Sequence, residues 1–134
     1  MRWVLSVIPM TRPEIVTTAA GPAVFHADFS PVDETRPAKP GEILIAKATG
    51  MGPTRPGIDP GQPFPLVASP VVNSPVEITA NGQAAEVVNQ IGWPGQLDTY
   101  RVDFRLPADT AKGVVRIQIV AAWIPGAPVS IAVQ

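Results

Sequence analysis

Proline and glycine recur so often along this chain that no helix of ordinary length fits between them. Seventeen prolines and eleven glycines take up 28 of its 134 positions. A proline removes a backbone donor, and its ring clashes with the preceding helical turn. The longest proline-free stretches, residues 76–93 and 108–124, each contain an internal glycine. A helical bundle is thereby excluded, while the length suits one domain with a core of its own. Ten basic residues stand against eleven acidic ones, and charged residues make up only 16% of the chain. That balance lacks the electrostatic footprint of a protein that binds nucleic acid or an anionic membrane surface. No apolar run approaches the roughly 18 residues of a membrane helix, so membrane insertion is not expected. The chain has no cysteine, which excludes a disulfide framework, a thiolate metal site and a cysteine nucleophile together.

The start, Met1-Arg2-Trp3-Val4-Leu5-Ser6-Val7-Ile8-Pro9, carries an apolar run shorter than the roughly 7–15 residues of a secretory signal core. Residues 1–13 are expected to be a first strand or the remnant of a linker, and residues 14–134 a single domain. The clearest strand lies at residues 98–106. Tyr100, Val102, Phe104 and Leu106 fall on one parity, and Thr99, Arg101, Asp103 and Arg105 on the other. That is the period-two pattern of a half-buried strand, and it places Asp103 in solvent between two arginines. Residues 113–123 read as a more central strand. Pro125-Gly126 reads as a turn, and residues 127–133 as a returning strand. Val76, Ile78 and Ala80 alternate with polar residues up to Asn81-Gly82, a hairpin signal because both central residues of a type I′ turn need positive φ. The return strand is then residues 83–88, although Ala84, Ala85 and Glu86 would also suit a helix. Residues 42–49 read as a buried strand, with further candidates at 14–19 and 23–29. Residues 50–75 hold seven prolines and four glycines. They read as an ordered excursion anchored by Phe64, Leu66, Val67, Val71 and Val72. Short strands with this punctuation predict an antiparallel sandwich or barrel.

Several motifs stand in a fixed order. They are Pro37-Ala38-Lys39-Pro40-Gly41-Glu42-Ile43-Leu44, Ala48-Thr49-Gly50-Met51-Gly52-Pro53-Thr54 and Pro60-Gly61-Gln62-Pro63-Phe64-Pro65. Asn73-Ser74-Pro75-Val76, Asn81-Gly82-Gln83-Ala84-Ala85-Glu86-Val87, Tyr100-Arg101-Val102-Asp103-Phe104-Arg105-Leu106-Pro107 and Val129-Ser130-Ile131-Ala132-Val133-Gln134 follow. From Ile15 to Gln134 the chain resembles the uncharacterised Solibacter-type C-terminal domain of acidobacterial exported proteins. The resemblance implies an Ig-like antiparallel β-sandwich of about seven to eight strands with long Pro/Gly-rich loops. It also implies an extracellular or cell-surface location, and it brings no catalytic residues and no cofactor. The chain departs from the family pattern at Asn89-Gln90-Ile91-Gly92-Trp93, Ile45-Ala46-Lys47 and Ala121-Ala122-Trp123-Ile124. Those departures leave the implied fold intact, and a shared ligand surface does not carry over with it.

Chemistry-bearing constellations are sparse. His26 is the one histidine, with Asp28 two residues on and Asp33-Glu34 beyond. On a strand His26 and Asp28 would share a face, but no second histidine completes a zinc site. A polar turn is the expected role of this group. Ser30, Ser69, Ser74 and Ser130 lack the Gly-x-Ser-x-Gly elbow of a hydrolase. Asp28, Asp33 and Glu34 are too few for a calcium loop. The glycines at Gly50, Gly52, Gly57 and Gly61 have no accompanying lysine or helix start, so they read as turns. Trp93 and Trp123, each beside a Pro-Gly turn, are the candidate ligand-binding residues. Plugging the sandwich end is their expected role, with an exposed stacking platform as the alternative. The expected function is a non-catalytic structural or adhesive module that contacts a protein partner or a neighbouring domain. A carbohydrate-binding module using Trp93 and Trp123 is the second reading, and a small hydrolase the third.

Overall fold

A computed structural model describes residues 12–59, 61–67 and 69–134. The expectation of a strand or linker at residues 1–13 falls largely outside them. Among the described residues there are thirteen strands and no helix. They are β1 (Glu14–Ile15), β2 (Thr17–Thr18), β3 (Gly21–Pro22), β4 (Val24–Phe25), β5 (Ile43–Thr49), β6 (Thr54–Arg55) and β7 (Val71–Val72). Then come β8 (Val76–Ala80), β9 (Gln83–Gly92), β10 (Tyr100–Arg105), β11 (Gly113–Ala121), β12 (Ile124–Pro125) and β13 (Val129–Val133). The all-β, antiparallel architecture is as expected. The strand number exceeds the expected seven to eight because the peripheral segments form two-residue strands in place of longer ones. Residues 14–19 become β1 and β2, residues 23–29 shrink to β4, and the excursion contributes β6 and β7.

Eleven of these strands form one antiparallel sheet, along the path β1-β5-β10-β9-β8-β11-β12, and β2 and β3 form a separate ribbon. β9 is the strand that folds the sheet into two layers. Its first residues, Gln83 to Ala85, pair with β8, and Glu86 to Gly92 pair with β10. The register shifts between these partners so that Phe104 faces Val87 and Asp103 faces Asn89. Val88 is the extra residue, a β-bulge that bends the strand just beyond the sandwich corner, where β9 changes partner between Ala85 and Glu86. One layer holds β5, β10 and the second half of β9. The other holds β8, β11 and β13. At the far edge Ala38 closes the gap by a parallel bridge to Val133, with hydrogen bonds from Ala38 N to Ala132 O and from Gln134 N to Ala38 O, both 2.9 Å.

The core fills the space between the layers. Leu44, Ala46, Val102 and Phe104 from one side meet Val115, Ile117, Ile119 and Ile131 from the other, within one continuous cluster. The parity read from residues 98–106 is therefore the observed one, with Val102, Phe104 and Leu106 fully buried. Asn81 and Gly82 take φ of 50° and 82°, the expected type I′ pair, and residues 83–92 continue as strand, not helix. The turn expected at Pro125-Gly126 lies earlier. Ala122 and Trp123 take φ of 50° and 64°, so β12 pairs with Ala121 and Val120. Pro125 is tolerated there because β12 is an edge strand.

Two consequences are measurable. Phe104→Ala removes a fully buried ring and is expected to cost about 3–5 kcal/mol, read from the denaturant midpoint. Gly126→Ala drives a methyl into the backbone carbonyl of Pro13. The expected cost is about 1–3 kcal/mol from overpacking, and an unchanged midpoint would refute the close approach of these segments.

Candidate functional site

Five long strands begin or end at the same end of the sandwich. Tyr100 pairs with Ala48 and with Gly92, so β10 starts where β5 and β9 stop. Val76 pairs with Ala121, so β8 starts where β11 stops. Arg12-Pro13 locks the two layers together there. The Arg12 carbonyl lies where a side chain on Gly50 would stand, and the Pro13 carbonyl does the same at Gly126. Gly50 needs to be glycine on a second count, since its φ is 71° and few side chains tolerate that region. The loops after β5, in the excursion, between β9 and β10, and between β11 and β12 all gather at this end.

Trp123 tips the β11–β12 hairpin and is 76% exposed, which overturns the plugging role expected for it. Trp123 lies at the tip of the turn, beyond the last paired residues Ala121 and Ile124. Leu66, Val67 and Leu97 are also exposed at this end, at 79%, 81% and 55%. Leu66 and Val67 were expected to anchor the excursion. They do not, and neither does Val71, which is half exposed. Phe64 and Val72 carry that burial instead. Phe64 is locked by hydrogen bonds from its N to Gln96 O and from Gly95 N to its carbonyl, and its ring occupies the space that a side chain on Gly92 would need.

Phe64 and Tyr100 meet edge to face, centroids 5.3 Å apart at 62°. They form the base of a cleft of about 370 Å³ whose walls include Ile58, Leu97, Asp59 and Asp98. The Tyr100 hydroxyl donates to Gly52 O at 3.2 Å. Burial and, after it, the negative charge of Asp98 push the phenol up to about 12.

Trp93 lies apart from Trp123, on the outer face of the β5–β10 layer. It is half buried and packs edge to face on Phe29, centroids 6.2 Å apart at 70°. The Lys47 ammonium sits 5.2 Å from the Trp93 ring, and the Arg101 guanidinium 5.2 Å from the Phe29 ring. Each is within cation–π range. Arg101 also donates to both Asp103 oxygens, at 2.9 and 3.2 Å. The stripe Arg101, Asp103, Arg105 faces outward as expected, but the Asp103 side chain is only 13% exposed. Its partner lies two residues away on its own strand, while Arg105 pairs across to Glu86. The sequence carried no signal for Phe29. Its φ of 66° puts a bulky side chain in the left-handed region, and only the fold reveals that.

His26 and Asp28 are not brought together. His26 is buried, its Nδ1 2.5 Å from Glu42 Oε2 and its Nε2 2.9 Å from Arg36 O. Both ring nitrogens face acceptors, so neither is open to activate a hydroxyl. Asp28 instead accepts from the Ser30 hydroxyl and amide at 2.6 and 3.0 Å. Those bonds, with Arg36 beside them, lower its carboxyl from 3.8 to about 2. Asp33 is lowered likewise, first by the Thr35 hydroxyl and then by the Arg36 amide. This segment is a self-capped turn, as the sequence suggested. Among the described residues no group of three or more histidine or acidic side chains could hold a metal, and no helix is long and apolar enough to cross a membrane.

Tyr100 is the sole tyrosine, so a phenolate absorbance titration reads it alone. Its midpoint is expected near 12, not 10. The folded value lies above the unfolded one, so the stabilisation is full below about 10 and is lost as pH rises through about 12. For Asp28 the sign reverses. Its contribution is present above 3.8 and is lost as pH falls toward 2, which proton resonances of the 26–36 turn would follow.

No protein-family model matches this chain, and neither a curated protein nor a solved structure matches it.

Proposed function

We propose that the protein is a non-catalytic accessory module of an exported or cell-surface protein, and that it works by docking its loop-bearing end against a protein partner or a neighbouring domain. The carrying observation is the set of exposed apolar side chains at one end, namely Leu66, Val67, Leu97 and Trp123. A cluster of this kind on a folded surface marks an interaction site. Tryptophan is among the residues that supply most of the energy at such interfaces. The export assignment rests on the family resemblance of residues 15–134, as does the immunoglobulin-like classification of the sandwich.

Glycan binding is the weaker reading. Saccharide rings stack on flat, open aromatic faces, whereas Trp93 meets Phe29 at 70° and its ring is taken by Lys47. Trp123 stands on a different hairpin in the other layer. Hydrolysis has less support still, because His26 is committed on both nitrogens.

A displayed random-peptide library selected against the folded chain tests the reading. Selected peptides are expected to lose binding to the Leu66→Ser, Leu97→Ser, Trp123→Ser triple variant. These side chains are exposed, so the variant should keep its unfolding free energy to within about 0.5 kcal/mol per site. Peptides that bind both proteins equally, or tryptophan quenching by a polysaccharide across a glycan panel, would overturn it.

A further inference from the structure

We propose that the cleft beside Leu97 is a receptor for a basic side chain, a lysine or arginine, presented by the protein partner that covers the apolar end. The inference rests on the docking reading above and adds the chemistry of what docks.

The cleft holds about 370 Å³, at the small end of the roughly 300–1,000 Å³ range of ligand pockets. It suits one long side chain better than a helix or an oligosaccharide. Its base is the Phe64–Tyr100 pair, both nearly fully buried. Ile58 and Leu97 give it apolar walls. The charged groups that line it are both carboxylates, Asp59 and Asp98, and no lysine or arginine is among its lining residues. Among the described residues neither carboxylate has an ion-pair partner. Both are exposed at the mouth.

An apolar shaft with an acidic mouth is the complement of one kind of group. Lysine and arginine bury an alkyl stem while keeping a charged head in water, and an aromatic base adds cation–π attraction. A carboxylate or phosphate would meet two like charges. The upward push that Asp98 gives the Tyr100 phenol reports the same negative field. Asp98 itself is held in the left-handed region, φ 41°. Asparagine and aspartate tolerate that region better than other side chains, so Asp98→Asn removes the charge while keeping the residue type the backbone favours there. The exposed Leu97 wall, with Leu66 close by over Gly95, would then meet apolar residues flanking the cation. The partner segment is accordingly basic at one position and apolar on either side of it.

The test uses the full chain labelled with ¹⁵N and four capped peptides, each with a central residue between two leucines. The central residues are arginine, lysine, citrulline and glutamate. Arginine and lysine peptides are expected to shift the amides of Gly52, Gly61 and Leu97 saturably. Citrulline keeps the shape of arginine without its charge, and it should bind about tenfold more weakly, as should glutamate. The Asp59→Asn, Asp98→Asn double variant should lose the preference for charge while keeping the thermal midpoint. Added salt should weaken the arginine peptide more than the citrulline one. Equal binding of arginine and citrulline, saturable shifts mapping elsewhere, or no saturable shift at all would overturn the proposal. If library peptides still depend on Trp123 while the arginine peptide fails, the docking reading stands and the cleft assignment falls. If both fail, both fall.

Discussion

Strand β9 belongs to two layers at once, and the arrangement of everything else depends on that. Its first three residues are tied to β8 and its last seven lie along β10. The two layers are therefore one hydrogen-bonded fabric, joined where β9 changes partner between Ala85 and Glu86 and bent at the Val88 bulge. Without the bulge, the alternation that buries Val102 and Phe104 would run out of register with the layer carrying Ile117 and Ile119, because a one-residue slip turns a strand inside out. The fold fixes where the loops go. Once β9 crosses at one corner and Ala38 closes the opposite edge, the connections of both layers emerge together, and the Arg12-Pro13 clamp holds them as a unit.

Backbone strain is distributed unevenly over this framework. Five described residues other than glycine have positive φ: Phe29, Asn81, Asp98, Ala122 and Trp123. Asn81 is at the opposite end, in an Asn-Gly turn where positive φ is the rule. The other four lie at or beside the loop-bearing end. They include a phenylalanine, an alanine and a tryptophan, residues for which the left-handed region costs about 1–2 kcal/mol each. Strain of this kind persists only where the surroundings impose it, and it concentrates where side chains have to be held in particular places. Phe29 is held over Arg101, Asp98 at the cleft mouth and Trp123 in solvent. An Asn-Gly at 122–123 would make the same hairpin at lower cost, but it would present no ring.

The sequence made the interior legible and left the end largely hidden, for a physical reason. Alternation in residues 98–106, 113–121 and 76–80 reports burial on one face, and the layers bury those faces. The Asn81-Gly82 turn was readable because its φ values have a residue signature. Ala122-Trp123 adopts the same turn without that signature, and the Pro125-Gly126 dipeptide carries a turn signature that the fold does not use for the reversal. In the proline-rich excursion, the sequence alone does not distinguish the apolar residues that anchor it from those that do not. Only Phe64 and Val72 have a groove to fill, while Leu66 and Val67 ride over the outside. Burial there is decided by tertiary neighbours such as Gly92, which leaves space for Phe64, and no local pattern encodes that. Trp93 and Trp123 were recognised as the notable aromatics. The partners that separate their roles, Phe29 and Lys47 for one and open solvent for the other, come from strands far apart in sequence.

Proline acts twice in this chain, and its second action bears on how the module meets other molecules. An exposed strand edge is an open template for pairing with another chain. Here the peripheral strands are short and proline-bearing. β3 contains Pro22 and β12 contains Pro125, while β6 lies between Pro53 and Pro56. A residue without an amide hydrogen cannot extend a ladder, so sideways growth of the sheet is blocked at these strands. Exposed apolar side chains occur elsewhere, at Val88 and Val114, but Leu66, Val67, Leu97 and Trp123 lie on loops of one end, which Phe64, Tyr100 and the Arg12-Pro13 clamp tie to the core. A rigid platform that orders few side chains on contact loses little entropy when it binds. The same punctuation that denies this chain its helices thus closes its strand edges to further pairing, and the docking proposed above is left to the end where Trp123 stands.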